Sequence, residues 1–170
     1  RQEGIFTIEQ KQVDKEKGIP AFEFTTEVGW TIGIHEERRT VHINSERQTV
    51  AVHMSGKPDM VRFDPGHKVL HRLEFNPGDP MLRMQLHSAP DVIGRIEAAH
   101  TLAKSSKHIN IQAVVDAFLQ EPFWGARCEF AIALGEANHA TAIEGIAQLI
   151  RTESEPRVMI SLLRAAANYR

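Results

Sequence analysis

The apolar residues of this chain change their period once, near Asn76, and that switch constrains the fold more than any motif does. Before it they recur every second residue, the spacing of a strand with one buried face. After it they recur every three to four, the spacing of a helix with one apolar stripe. The 170 residues, 42% apolar and 25% charged, suffice for one larger domain or two small ones. The fold class read from this pattern is α+β, two domains in series. Residues 1–76 read as an antiparallel β-sandwich, in part, and residues 77–170 as an array of stacked helical repeats.

In the first stretch, residues 4–13 alternate across Phe6 and Ile8, and residues 14–20 form a charged turn holding Gly18 and Pro20. Residues 21–25 and 30–34 alternate again. Residues 40–43 and 48–54 flank Asn44-Ser45-Glu46-Arg47, a polar tetrad that predicts a hairpin loop. Residues 60–63 form the last strand before Asp64-Pro65-Gly66 turns the chain. No crossover helix fits between these strands, which excludes parallel βαβ units.

In the second stretch, Asp79-Pro80 predicts an N-cap and first-turn proline for a short helix carrying Leu82 and Leu86. Ser88, three residues before Asp91, reads as a capping box for a helix with Val92, Ile96, Ala99 and Ala103 on one face. Ile111, Val114, Val115, Phe118 and Leu119 form the next stripe, which Glu121-Pro122 ends. Further helices are expected over 123–134, through Ile143 to Ile150, and over 156–168. Residues 95–103 align with 127–135 and with 157–165, each led by an arginine, at spacings of 32 and then 30 residues. That is the length of a helix–turn–helix unit that buries its apolar face only by stacking on the next. The third unit lacks a stacking partner and the chain opens on Arg1 inside a strand-like pattern. Both features lead us to expect a piece of a longer protein.

Charge excludes a nucleic-acid footprint: residues 1–90 carry 12 Lys and Arg against 13 Asp and Glu, and residues 91–170 carry 8 against 9. No apolar run approaches the roughly 18 residues of a membrane span, and no charged-then-apolar leader is present. The single cysteine, Cys128, forms no internal disulfide, which fits a reducing compartment and a cytoplasmic location. Six of the nine histidines precede residue 90. His42 and His53 occupy neighbouring strand patterns in position to pair across a hairpin, and His67 and His71 lie four apart beside a turn. Both pairs read more readily as surface residues than as metal ligands, since cysteine or carboxylate partners are missing. Cys128 inside a repeat helix reads as a small buried hydrophobe rather than a nucleophile. Phe123 and Trp124 read as packing aromatics rather than a ligand-facing pair. Arg95, Arg127 and Arg157 read as partners of a neighbouring helix end or acid, with a groove for a peptide carboxylate as the alternative.

The phrase Met60-Val61-Arg62-Phe63-Asp64-Pro65-Gly66-His67-Lys68-Val69-Leu70 resembles the last sandwich strand of the aminopeptidase N family of zinc metallopeptidases, where it runs into an all-helical region. Residues 91–99 look like the opening of that region, and residues 6–12 and 20–24 look like its sandwich strands. The helical pattern also resembles HEAT-type repeats. The resemblance implies a parent enzyme that trims peptide N-termini with a zinc-bound water, held by H-E-x-x-H and a further glutamate in an upstream domain. The nearest echo here is His35-Glu36-Glu37-Arg38-Arg39, with Arg39 at the place of the second histidine; a guanidinium cannot ligate zinc. No position is therefore assigned a catalytic, cofactor-binding or metal-ligating role, and zinc is expected only in the parent's upstream domain. The chain's expected role is that of spacer and helical cover controlling substrate access, its partners being the parent catalytic domain and peptide substrate. The competing expectation is a HEAT-repeat interaction scaffold that binds a protein along its concave face.

Overall fold

The computed structural model describes residues 2–169, as five strands followed by six helices. The fold is α+β, and the chain divides into two compact units, Arg1–Phe75 and Asn76–Arg170.

The first unit holds β1 (Gln2–Glu9), β2 (Phe24–Ile32), β3 (His35–Ile43), β4 (Arg47–Met54) and β5 (Met60–Phe63). They form two antiparallel sheets, one of β1 with β4 and one ordered β3-β2-β5. The buried apolar residues are Val28, Trp30, Val41, Ile43, Val52, Met54, Met60 and Val61. Two of the expected strands, 21–25 and 30–34, are superseded by the single strand β2. The alternation is interrupted at Gly29, where the ring of Pro65 lies so close that an added Cβ would sit 3.1 Å from it. The strand continues beneath that ring. Strand β3 likewise begins at His35 rather than at residue 40, because its charged first half is the exposed arm of a hairpin with β2. Ile32 pairs with His35, leaving a two-residue turn with Gly33 at φ +60°, the position and sign that such turns reserve for glycine. The tetrad 44–47 is not a hairpin loop. β3 pairs with β2 and β4 with β1, so the tetrad carries the chain from one sheet to the other. Gln10 secures this crossing: its amide nitrogen donates to the carbonyls of Phe22 (2.8 Å) and Ser45 (3.1 Å), and its amide oxygen accepts from the Phe22 amide (2.9 Å).

The second unit contains α1 (Asp79–Ser88), α2 (Val92–Lys104), α3 (His108–Gln120), α4 (Trp124–Glu136), α5 (Ala140–Thr152) and α6 (Pro156–Ala167). Helices α2, α4 and α6 pack in succession, as do α1, α3 and α5, and neighbours in sequence pack on each other. Two N-terminal signals act differently from expectation. Gly78, not Asp79, caps α1, so Asp79 and Pro80 lie inside its first turn. Ser88 ends α1, and Asp91 alone caps α2 by accepting from the Gly94 amide at 2.6 Å. The connection is too short for Ser88 to reach forward as a cap.

The period is stricter than the sequence alignment. N-caps fall at Asp91, Phe123 and Glu155, and C-caps of the odd helices at Ala89, Glu121 and Glu153, all in steps of 32 residues. Ser106 and Asn138, the left-handed residues after α2 and α4, keep the same step. Residues 98, 130 and 162 (Ala, Phe and Leu) are equivalent, and all three are fully buried. Gly135 lets α6 approach: a Cβ there would lie 2.8 Å from the Ala165 backbone. On this step the third equivalent of Arg95 and Arg127 is Met159, and Arg157 lies two residues ahead of it. The 30-residue spacing therefore aligned like residues rather than like positions.

Candidate functional site

The histidines do not converge. His35 and Arg39 lie on β3, exposed and extended, where residues four apart do not share a helical face. His42 on β3 contacts Thr25 (3.1 Å) and Glu23 (3.0 Å), and exposed His53 on β4 lies 3.9 Å from Glu3. The two belong to different sheets and do not pair across a hairpin. Among the described residues, no group of three or more His, Cys, Asp or Glu is gathered closely enough to hold a metal ion.

What the first unit does gather is a clasp around Asp64, at the turn that follows β5. Asp64 is 1% exposed and has φ +47°, a conformation that Asp tolerates better than most residues. Its carboxylate accepts from the Thr26 hydroxyl (2.6 Å) and from the amides of Lys68 and Val69 (both 3.0 Å). His71 Nδ1 lies 3.7 Å away and donates to the Val69 carbonyl at 2.7 Å. Burial pushes the Asp64 carboxyl up, but the Thr26 hydroxyl and the two amides, aided by His71, hold it below the ordinary carboxylate value. The cluster has the residue types of an acid–base centre, yet Thr26 is 0% exposed and its hydroxyl is committed to Asp64. Its chemistry is that of a fastener.

The second unit gathers its polar residues along one edge of the stacked hairpins. Arg95 meets the Glu121 carboxylate with two nitrogens, Nε at 2.7 Å and a terminal nitrogen at 3.1 Å, and donates to the Ala89 carbonyl at 2.9 Å. Arg127 makes a related contact one step on, with Nε alone donating to Glu153 at 3.0 Å and a terminal nitrogen donating to the Glu121 carbonyl at 2.9 Å. The Glu121 carboxylate holds the Arg95 guanidinium even more firmly protonated than usual. Both arginines are thus committed to a neighbouring helix end and an acid. Arg157 differs: it bonds Glu155 at 2.7 Å and lies over the Trp124 ring, 3.7 Å from its centroid. Phe123 and Trp124 pack with their rings tilted by 54° and centroids 5.7 Å apart, and remain 44% and 37% exposed, so they are rim rather than core. Cys128 is half-buried on α4 and packs against the helical core.

Glu121, Glu153, Asp64 and Gln10 are the residues that sequence reasoning missed. The two glutamates were detectable, since they repeat at 32 residues immediately after an apolar stripe. Asp64 and Gln10 carried no such signal, because their partners lie 38 and 35 residues away in sequence. Neither a protein-family model nor a curated protein matches the chain. No helix among the described residues is long and apolar enough to cross a membrane. The class that fold and site define is an α+β protein with two antiparallel sheets followed by helical hairpins in a 32-residue step.

Proposed function

We propose that the chain is a non-catalytic part of an aminopeptidase-N-like zinc metallopeptidase. In this reading the two sheets belong to a β-sandwich spacer, and the hairpins begin a HEAT-like array whose inner surface covers the active site and limits access to peptide ends. The observation that carries the reading is the junction. The phrase 60–70, on which the resemblance rests, coincides with β5, its Asp64 clasp and the exit from the last strand, and helices alone follow it. The residues present do not fit a zinc site, because the one echo of the motif is an exposed strand ending in a guanidinium. No hydrolytic step is routed through this chain, and zinc would serve the parent's upstream domain.

The full-length gene tests this. Its product should contain H-E-x-x-H and a downstream glutamate ahead of Arg1, and should release N-terminal amino acids from peptides until a chelator removes the metal. An intact gene lacking that motif, or a product inert with added zinc, overturns the enzyme reading.

A second reading, an interaction scaffold without peptidase activity, is favoured by one feature of the last hairpin. Leu163 is 54% exposed although its equivalents Ala99 and Ala131 are fully buried, and Ile160 is 50% exposed. That surface would receive a partner helix. Capture of one protein by the wild-type chain but not by Leu163→Asp, together with a degenerate zinc motif upstream, would decide for it.

A further inference from the structure

The N-terminus of α5 is closed by an imidazole. His139 stands at the N-cap of α5, and its Nδ1 accepts from the Thr141 amide at 3.2 Å. A ring nitrogen that accepts carries no proton, so this bond requires the neutral ring with its hydrogen on Nε2. The other side-chain caps are the carboxylates of Asp91 on α2 and Glu155 on α6, and a carboxylate ordinarily stays ionised in mild acid. Helices α1, α3 and α4 have no side-chain cap. The cap of α5 is therefore the one that the proton taken up by a histidine removes.

The surroundings offer a charged ring no compensation. On the 32-residue step the equivalent of His139 is Lys107, the N-cap of α3. Its charge is balanced there by the Asp79 carboxylate on α1, 2.7 Å from Nζ. One step on, the equivalent of Asp79 is Ile111, fully buried. A helix N-terminus is itself positive, so a cation there is unfavourable unless an acid answers it. The other groups around this turn supply no such acid. His108, the first residue of α3, bonds the Thr141 hydroxyl at 2.8 Å, and that hydroxyl can donate or accept as His108 changes charge. Tyr169, beyond α6, donates to the Leu134 carbonyl at 2.5 Å, and burial pushes its phenol up, so it stays neutral. Lys104, which ends α2, is a further exposed cation. Glu136 at the end of α4 and Glu144 on α5 are exposed, and neither forms an ion pair with His108 or His139. His100 on α2 differs, since Glu129 lies 3.3 Å from its ring.

We propose that His139 is a pH-sensitive latch on α5: the neutral ring holds the first turn of the helix in place, and protonation releases it. That turn carries Thr141 and Ala142, both buried. Release stays local, because one turn further on Gly145 receives the Val115 side chain of α3 so closely that an added Cβ would lie 2.5 Å from it. The contribution of the latch is complete while the ring is neutral and is lost as pH falls through the range in which the ring protonates.

Amide hydrogen exchange of the whole chain, corrected for intrinsic rates and compared at about pH 7.5 and about pH 5.5, tests this. Protection at Thr141, Ala142 and Ile143 should fall about tenfold in the wild type. His139→Asn supplies a cap that does not titrate and should hold protection within about twofold across the same window. His139→Ala should show the low protection already at about pH 7.5, with no further fall. Ring-nitrogen NMR spectra should find the neutral His139 ring protonated on Nε2. Wild-type protection that does not change with pH overturns the proposal, as does a fall in His139→Asn as large as in the wild type. So does a neutral ring protonated on Nδ1, since that nitrogen could not accept from Thr141. A fall that vanishes in His108→Gln and persists in His139→Asn overturns it too, because the sensing ring would then be His108.

Discussion

The sheet unit is fastened by contacts that occur once, whereas the helical unit makes its arginine–glutamate contact twice, one 32-residue step apart. Gln10 ties the loops at Phe22 and Ser45, and Asp64 ties Thr26 to the chain at Lys68 and Val69; neither has a counterpart elsewhere in its unit. In the hairpins, the arginine–glutamate rung and the αL residues closing α2 and α4 recur at a fixed step. The difference teaches where each unit is vulnerable. A unit held by single fasteners fails at a residue, while a periodic one fails at a junction and leaves its other junctions standing.

The sharpest way to break this comparison is in the core of the hairpins. Phe130 is fully buried at the centre of the 32-residue pattern, between the smaller Ala98 and Leu162. Phe130→Ala should destabilise the helical unit by about 3–5 kcal/mol, the usual cost of emptying such a site. Amide hydrogen exchange read residue by residue should show the loss across α2 to α6 and none in β1 to β5. Equal losses in both units would mean that they do not unfold separately.

The next largest effect should come from a single fastener. Asp64→Ala leaves the Thr26 hydroxyl and two amides without their acceptor and places alanine at φ +47°, at a cost of about 2–3 kcal/mol to the sheet unit. The pH dependence has a definite sign. Because the folded carboxyl titrates below its unfolded value, its stabilisation is complete above that value and is lost as pH falls through the depressed one. Urea titrations between neutral pH and about pH 2 should show that acid-side loss in the wild type and a flatter profile in Asp64→Asn. A wild-type profile that is already flat would remove the carboxylate from the clasp.

A smaller effect isolates the β2–β3 turn. At Gly33 an added Cβ meets nothing within 4 Å, so the only penalty of Gly33→Ala is its φ of +60°. The expected cost is about 1 kcal/mol, read as a shift in the denaturation midpoint at constant slope. A larger loss would show that the turn also sets the β2–β3 register.

The order of helices and the change of period at Asn76 were legible in the sequence, because local spacing specifies a helix and its stripe. Pairing between strands was not. The tetrad 44–47 has the composition of a hairpin loop, yet it crosses between sheets, since which strand β4 joins is decided by residues far away in β1. Composition also misled at residues 35–39, where charge looked like a connection but an exposed hairpin arm tolerates it. The repeat was visible and its last step was misplaced, because an arginine stands two residues ahead of the true equivalent. For the candidate site, the arginines were legible as partners of helix ends and acids. Their glutamates were visible only once the 32-residue step was fixed by the caps.

The smallest predicted effect separates that displaced arginine from the two it resembles. Arg157 is 56% exposed at its side chain, bonds the cap residue of its own helix, and meets the neighbouring hairpin only by covering the half-exposed ring of Trp124. Exposed pairs of this kind contribute little, because water solvates both partners almost as well. Arg157→Ala should shift the thermal midpoint by less than about 2 °C, while Trp124 fluorescence changes because the guanidinium over its face is gone. If Arg157→Ala instead lowers the midpoint by more than about 10 °C, the third arginine fastens one hairpin to the next as Arg95 and Arg127 do. The helical unit would then have to be redrawn with a step that shortens at its last hairpin.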